Sequence, residues 1–421
     1  MSDMPLSPSA TGPGKMLEYV AKRLFWLSIG VFFVGGFLSA SISLLVPQLK
    51  SILALDYKGA LLVQLAFHSS YLLFALPAAL AVVRVGYMRS IAAGLMVMTA
   101  GCLALVIAQT AHRFVLVLGA LLLLSAGQTV LQIASNTVVT VIGPSRGAAF
   151  RLTLLQGYNS LGTVLGPLLT APFLLADIAP GTRAEMAASM PFIATGAVLA
   201  ALSLLYVGHR GLLAHAPVGG GEGLPKDWPR QIFAVLRDPR LLWGTLAIFV
   251  YVGAEVTIGT LMTNIMMQPE RLALDPVSAG RLVSLYWAGA MVGRFIGAWL
   301  MTRIAEARLL LLAAVAAIAL TIGAILLPGA LGAAALIAVG LCNAIMYPTI
   351  YALAMPRDRR LAPLASMWLC MAVVGGAIVP VLTGVAADAV GLLPALLLPA
   401  LCYIGVAAFA WICARGLEAE A

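Results

Sequence analysis

Residues 243–267 read WGTLAIFVYVGAEVTIGTLMTNIMM, with Glu255 as the one charge among them. About 20 predominantly apolar residues are enough for a helix to cross the hydrocarbon of a bilayer. A carboxylate at that depth is costly, and where one occurs it normally faces a cavity and works there. The stretch therefore predicts a membrane-spanning helix with a working acid on its inward face.

Composition extends this reading to the whole chain. Of 421 residues, 62% are hydrophobic and only 10% charged, against roughly 25% charged in soluble domains. Lipid has to be the solvent, and the fold class is an all-α membrane protein. The net charge of +9 does not indicate nucleic acid, because the basic residues fall in short clusters between apolar runs. Cys102, Cys342, Cys370, Cys402 and Cys413 lie inside apolar segments with no paired spacing and read as packing residues. No metal site and no cofactor are expected. Met1–Gly14 is rich in Ser, Pro and Gly and lacks the charged start of a signal peptide, so it reads as a disordered cytoplasmic tail.

Twelve runs are long enough to span: Leu24–Val46, Ala60–Val83, Ser90–Thr110, Phe114–Val141, Leu152–Leu174, Met190–Val207, Leu241–Met267, Val277–Met301, Leu309–Leu327, Leu331–Met355, Leu364–Ala386 and Leu392–Ala414. With both termini inside, basic residues favour the cytoplasmic loops by roughly three to one, as the positive-inside rule requires. The polar stretch 209–239, with Gly219, Gly220, Gly221 and Gly223, reads as a cytoplasmic linker. It separates two pseudo-symmetric six-helix bundles, 23–208 and 240–415, flanked by tails at 1–22 and 416–421. Gly162–Thr170 parallels Gly376–Thr383, and Phe33–Gly36 parallels Tyr251–Ala254, in the same order along the chain. A carrier that rocks two bundles about a midplane site needs such a repeat.

Polar residues at helical spacing mark the inward faces. Gln64, His68 and Tyr71 share one face; Gln128, Gln132 and Asn136 a second; Gln156, Asn159 and Thr163 a third; Asn343, Tyr347 and Tyr351 a fourth. Any one of these can simply bond helix to helix. Together they describe a wet, uncharged cavity whose amides match the hydroxyls of a sugar or polyol. Tyr286, Trp287, Tyr347 and Trp368 are candidates to pack on a sugar ring. Arg294, between Gly293 and Gly297, reads as a packing or gating residue near the cytoplasmic side. Glu255 and His68 are the titratable groups deep in the bundle, the kind of group a proton carrier requires. Asp388 reads as a helix-end residue.

Several strings are more specific. LVQLAF (62–67), Gly143-Pro144 followed by Arg151-Leu152, QGYNSLG (156–162), YVGAEV (251–256), LYWAGAMVGRF (285–295), YPTI (347–350) and VGGAIVP (374–380) resemble the fucose/galactose/glucose–proton symporter family of the major facilitator superfamily, closest to its glucose/galactose branch. The likeness runs from about Phe32 to Cys402. It implies twelve helices, alternating access and uptake of a monosaccharide with a proton. The family's Gln and Asn of the fifth helix fall on Gln156 and Asn159, and the branch's Gln of the fourth helix on Gln132. Two positions depart from the pattern: Ser43 stands where the family has an acid shortly before Pro47, and Val83 where an Asp precedes Arg84.

The expectation is a monomeric inner-membrane carrier for a neutral hexose such as glucose or galactose, with proton symport. Gln132, Asn136, Gln156, Asn159, Asn343 and His68 would contact hydroxyls, Trp287 and Tyr347 would line the ring, Glu255 would carry the proton, and Arg84 and Arg294 would gate. An uncoupled facilitator and an efflux carrier for an amphipathic small molecule are the alternatives. A polytopic membrane enzyme would need clustered acids or metal-ligating histidines, and the four His here are far apart.

Overall fold

The computed structural model describes residues 13–52, 57–111, 113–142, 147–174, 182–213, 228–274 and 276–418. Within these, the side chains of 13–17, 43–69, 167–168, 171–172, 174, 182–188, 276–277, 280–281 and 416–418 lie outside the described set. The first half holds α1 (Pro13–Ile52), α2 (Tyr57–Val85), α3 (Tyr87–Thr110), α4 (Phe114–Val141), α5 (Ala148–Leu174) and α6 (Thr182–Gly208). A short α7 (Trp228–Ala234) leads into α8 (Pro239–Met267), α9 (Pro276–Leu300), α10 (Glu306–Leu326), α11 (Gly329–Asn343), α12 (Met346–Ala354), α13 (Ala362–Met371), α14 (Gly375–Val390), α15 (Leu392–Ala395) and α16 (Leu397–Glu418).

These make twelve spans, six per half, because α11–α12, α13–α14 and α15–α16 each form one broken span. Among the described residues, nine helical stretches are long and apolar enough to cross a bilayer. The other three spans, α2, α5 and α9, have the length, at 29, 27 and 25 residues. Short turns make consecutive spans antiparallel. One end of the molecule therefore collects Arg84 and Arg89, Arg210, Arg303 and Arg308, Arg357, Arg359 and Arg360, and Arg415. We refer to it as the Arg-rich end.

The expected repeat is visible as a pattern of neighbours. α1 packs on α5, α3 on α4 and α6, and α2 on α4. In the second half α8 packs on α14, α10 on α11 and α16, and α9 on α11. The halves meet through α5 on α9 and, symmetrically, α2 on α13. The two segment pairs that looked alike in sequence form the equivalent α1–α5 and α8–α14 contacts. At both, backbone touches backbone. A Cβ on Gly36 would lie 1.9 Å from the Asn159 carbonyl oxygen, and one on Gly375 would lie 2.0 Å from that of Phe249. In lipid there is no hydrophobic drive between helices, so close van der Waals approach over small residues has to supply the attraction.

Three boundaries differ from the sequence reading. The first helix starts at Pro13, inside the stretch read as a tail, where a proline suits the first helical turn. Residues 1–12 lie outside the described set. The tenth, eleventh and twelfth spans are broken, at Ala344–Ile345, at Ala372–Val374 and at Leu396. Proline cannot bond to the carbonyl four residues back and clashes with it; for Pro348 and Pro399 those residues are Ala344 and Ala395. The linker also carries structure. α7 and the turn Val235–Arg237 bury Ile232 and Val235, and the indole Nε1 of Trp368 on α13 donates to the Ile232 carbonyl at 2.7 Å. Asp238 then caps α8 by accepting from the Arg240 N–H, with Pro239 following it.

Arginines close two more helix ends. Arg151 on α5 donates to the carbonyls of Val139 (3.3 Å) and Ile142 (3.0 Å) at the end of α4. The buried Arg271 donates to Ala324, Ile325 and Leu327 at the end of α10. Both place a cation on carbonyls that have no partner within their own helix.

The backbone contacts make a prediction. Gly36→Leu or Gly375→Leu forces α1 from α5, or α8 from α14, and is expected to abolish a monodisperse, thermally cooperative protein in detergent. Gly384→Leu, where a Cβ meets nothing within 4 Å, serves as the control. Equal melting of all three variants would contradict this packing.

Candidate functional site

The polar residues of α4 build the first part of the site. Gln128, Gln132 and Asn136 lie on one face, a turn apart. Gln128 Nε2 donates to Ser39 Oγ on α1 at 2.9 Å. Asn136 Nδ2 is 3.3 Å from Gln132 Oε1 and 3.5 Å from the Tyr347 hydroxyl on α12. The stripe thus begins inside the first half and ends against the second. Gln128 Oε1 and Asn136 Oδ1 are buried and accept no hydrogen bond among the described residues. Buried acceptors are normally satisfied, and the hydroxyl of a polar solute is the kind of donor that suits them.

On α5, Asn159 and Gln156 behave differently. Asn159 Nδ2 donates to the Phe32 carbonyl on α1 at 2.9 Å. Its amide approaches Gln128 around Gly35, where a Cβ would lie 3.7 Å from Asn159 Nδ2 and 4.0 Å from Gln128 Nε2. Gln156 is buried, and its backbone carbonyl accepts from Arg294 Nη1 on α9 at 3.4 Å.

The second half contributes a cluster around Tyr286, which is fully buried. Asn343 Nδ2 donates to the Tyr286 hydroxyl at 2.8 Å, and that hydroxyl donates to the Glu255 carbonyl at 3.1 Å. Tyr251 donates to the Asn343 carbonyl at 3.1 Å, next to the break in the tenth span. Trp287 packs edge-on against Tyr286 with ring centroids 5.1 Å apart, yet stays 45% exposed. Glu255 sits one turn from Tyr251, within the field of Arg294. Asn343 Nδ2 and Tyr286 therefore join α8, α9 and α11, Asn343 Oδ1 is buried and accepts no hydrogen bond among the described residues, and Trp287 keeps an open face. Trp368, a candidate ring-packing aromatic, is instead committed to the linker through Ile232 and Phe233. Arg84 is exposed at the end of α2 with no partner among the described residues. His68 and Ser43 belong to segments whose side chains lie outside the described set.

Between this site and the Arg-rich end, the halves are fastened together. Thr137 on α4 bonds the Tyr351 hydroxyl at 2.9 Å, Tyr351 bonds Ser366, and Ser366 donates to the Ile133 carbonyl at 3.2 Å. Tyr158 and Phe295 meet edge-on at 6.3 Å. Nearest the Arg-rich end, the Gly147 N–H donates to Glu306 Oε1 at 3.0 Å, and the same carboxylate faces the N–H groups of Ala149 and Phe150 at the start of α5. An anion at a helix N-terminus is favourable. Glu306 and Ser366 did not stand out in the sequence. The signal for Glu306 was a lone acid between Arg303 and Arg308 in an otherwise basic turn.

Two helical bundles, joined across a polar seam and sealed toward one end, define a class: a membrane carrier that works by alternating access. The profile of the Major Facilitator Superfamily matches residues 27–357. The chain is 36% identical over 384 residues to a glucose/galactose transporter of Brucella abortus, covering 91% of this chain and 92% of the relative. It is 27% identical to the L-fucose-proton symporter of Escherichia coli, covering 92% of each. A crystal structure of the transporter FucP in the outward conformation matches with a TM-score of 0.83 and 26% identity over 92% of this chain and 98% of that one. The chain belongs to the major facilitator superfamily, and within it to the fucose/galactose/glucose–proton symporter family.

The seam predicts a specific failure. Glu306→Ala removes the acceptor that holds the start of α5, so spin labels on the Arg-rich ends of α5 and α9 are expected to shift to longer distances in pulsed dipolar spectroscopy. An unchanged distribution would mean the carboxylate holds nothing.

Proposed function

We propose that the protein takes up a neutral hexose across the cytoplasmic membrane by alternating access, in symport with a proton. The observation that carries this is the uncharged amide stripe Gln128–Gln132–Asn136, which crosses from α4 to Tyr347 of the other half and presents buried acceptors. A phosphorylated or strongly anionic solute would call for several inward cations, and among the described residues Arg294 alone reaches this region. The relatives' names, glucose/galactose transporter and L-fucose-proton symporter, support the same class of solute.

The parts have separate tasks. Gln132, Asn136 and Gln156 donate to and accept from hydroxyls, and Trp287 and Tyr347 cover the ring. Asn159 holds α5 on α1 and borders the site. The Arg-rich end is the cytoplasmic one, so both termini lie inside and the state described faces outward. Arg303 over Trp299 (4.6 Å) and Arg415 over Trp411 (3.8 Å) suit a membrane–water interface at that end. The carrier works as a monomer in this reading.

Glu255 is the proton carrier in this reading, because Ser43 removes the acid that the family places in the first helix. Arg294, whose field Glu255 feels, reaches the Gln156 carbonyl across the seam. A change in the charge of Glu255 thus alters the field on Arg294 at the point where the halves join, and a proton can bias the seam. Glu255→Gln is expected to abolish accumulation against a gradient while leaving sugar exchange intact. Concentrative uptake at the wild-type level in that variant would remove Glu255 from the mechanism.

An uncoupled facilitator is the second reading, and Ser43 is the residue that favours it. Adding sugar to lightly buffered proteoliposomes separates the two, since only symport makes the external medium alkaline. For the site itself, Gln132→Ala is expected to raise the KM for the preferred hexose about tenfold or more, the scale of a lost hydrogen bond with its partner left unpaired. Uptake of a panel of labelled monosaccharides, in cells lacking their own carriers, checks both the class of solute and this shift. Wild-type uptake of no hexose would defeat the proposal.

A further inference from the structure

A groove of about 340 Å³ lies far from the seam, between α3 and α6 near the Arg-rich end. Ala92, Ala93, Met96 and Val207 form its walls, and Ser203 and Tyr206 its floor. The floor is fixed, since Ser203 Oγ donates to the Ala92 carbonyl at 2.9 Å and Tyr206 is fully buried. The walls open outward: Met96 is 50% and Val207 46% exposed on the surface that faces lipid. Arg89 on α3 and Arg210 in the turn after α6 complete the lining. Both are exposed, and neither side chain has a hydrogen-bond or ion-pair partner among the described residues. No acidic residue lines the groove. Arg23 donates to Nε2 of His209, next to Arg210, at 3.3 Å and adds its charge to the positive field.

We infer that this groove binds one anionic glycerophospholipid, with its phosphate between Arg89 and Arg210 and the upper part of one acyl chain along Ala92, Ala93, Met96 and Val207. Guanidinium groups match phosphate oxygens in a planar, two-pronged geometry. Basic pockets between membrane helices on the cytoplasmic side suit charged lipid headgroups. The size fits as well. Ligand pockets run from about 300 Å³ upward, so this one takes the part of a lipid near its headgroup and leaves the rest in the bilayer. The apolar walls argue for a lipid over a free phosphate, which would gain nothing from them. The site rests on the membrane-spanning fold and is independent of which solute the carrier moves.

Native mass spectrometry of the full chain, delipidated and then titrated with phosphatidylglycerol or phosphatidylcholine in detergent, tests the inference. One phosphatidylglycerol is expected to bind at least tenfold more tightly than phosphatidylcholine. Arg89→Gln with Arg210→Gln should erase that preference, and Met96→Trp, which fills the groove and keeps both arginines, should weaken binding of the same lipid. Arg113→Gln, a charge removed at the opposite end, should leave it unchanged. Equal binding of the two lipids by the wild type, or an unaltered preference in the double variant, overturns the site. Competition by glycerol phosphate as effective as that of the intact lipid also overturns it, because the groove would then be a simple anion site.

Discussion

A bilayer core supplies no hydrogen-bond partners, and the structure follows from that constraint. Every backbone group must be satisfied within the protein, so the chain crosses as helices. Where a helix breaks, at Ala344–Ile345 or around Leu396, the break sits inside the bundle. Where a helix ends, a side chain meets it: Arg151 at α4, Arg271 at α10, and the Glu306 carboxylate at α5. The same constraint turns polar side chains inward, where they can find each other or a solute.

The two bundles are rigid for one reason and joined for another. Inside each bundle, glycine lets backbones touch, as at Gly36 on Asn159 and Gly375 on Phe249. Such contacts allow no intermediate positions. Between the bundles, the links are hydrogen bonds and ring edges at the Arg-rich end. Membrane-embedded hydrogen bonds of this kind average about 0.6 kcal/mol each. Several of them add up to a few kcal/mol, the range in which an alternative state stays accessible. That contrast is what a rocking carrier needs: stiff halves and a seam that can part.

Much of the fold was legible in the chain. Apolar length gave twelve spans, and the glycine-bearing repeat pairs turned out to be the surfaces on which α1 meets α5 and α8 meets α14. The chain also showed which faces carry amides, because helical spacing is local information. Gln132, Asn136 and Tyr347 share a neighbourhood for that reason. The breaks were less legible, since a proline in a membrane helix is compatible with a kink, a bulge or an interruption. The helix within the linker was hidden by the polar, glycine-rich residues that precede it.

What only the tertiary structure decided is which polar atoms are already used. By spacing alone, Asn343 and Asn136 are equivalent, yet Asn343 Nδ2 bonds Tyr286 within the second half while Asn136 Nδ2 reaches Tyr347 across the halves. Trp287 and Trp368 are both aromatic and both deep in apolar runs, yet one keeps an open face and the other is spent on Ile232. Glu306, unremarkable in sequence, closes the seam because the fold brings it to the start of a helix 159 residues earlier in the chain. Burial and periodicity are properties of one helix and can be read from its residues. A hydrogen bond between halves depends on where two distant helices are placed, and that is fixed only when the whole bundle packs.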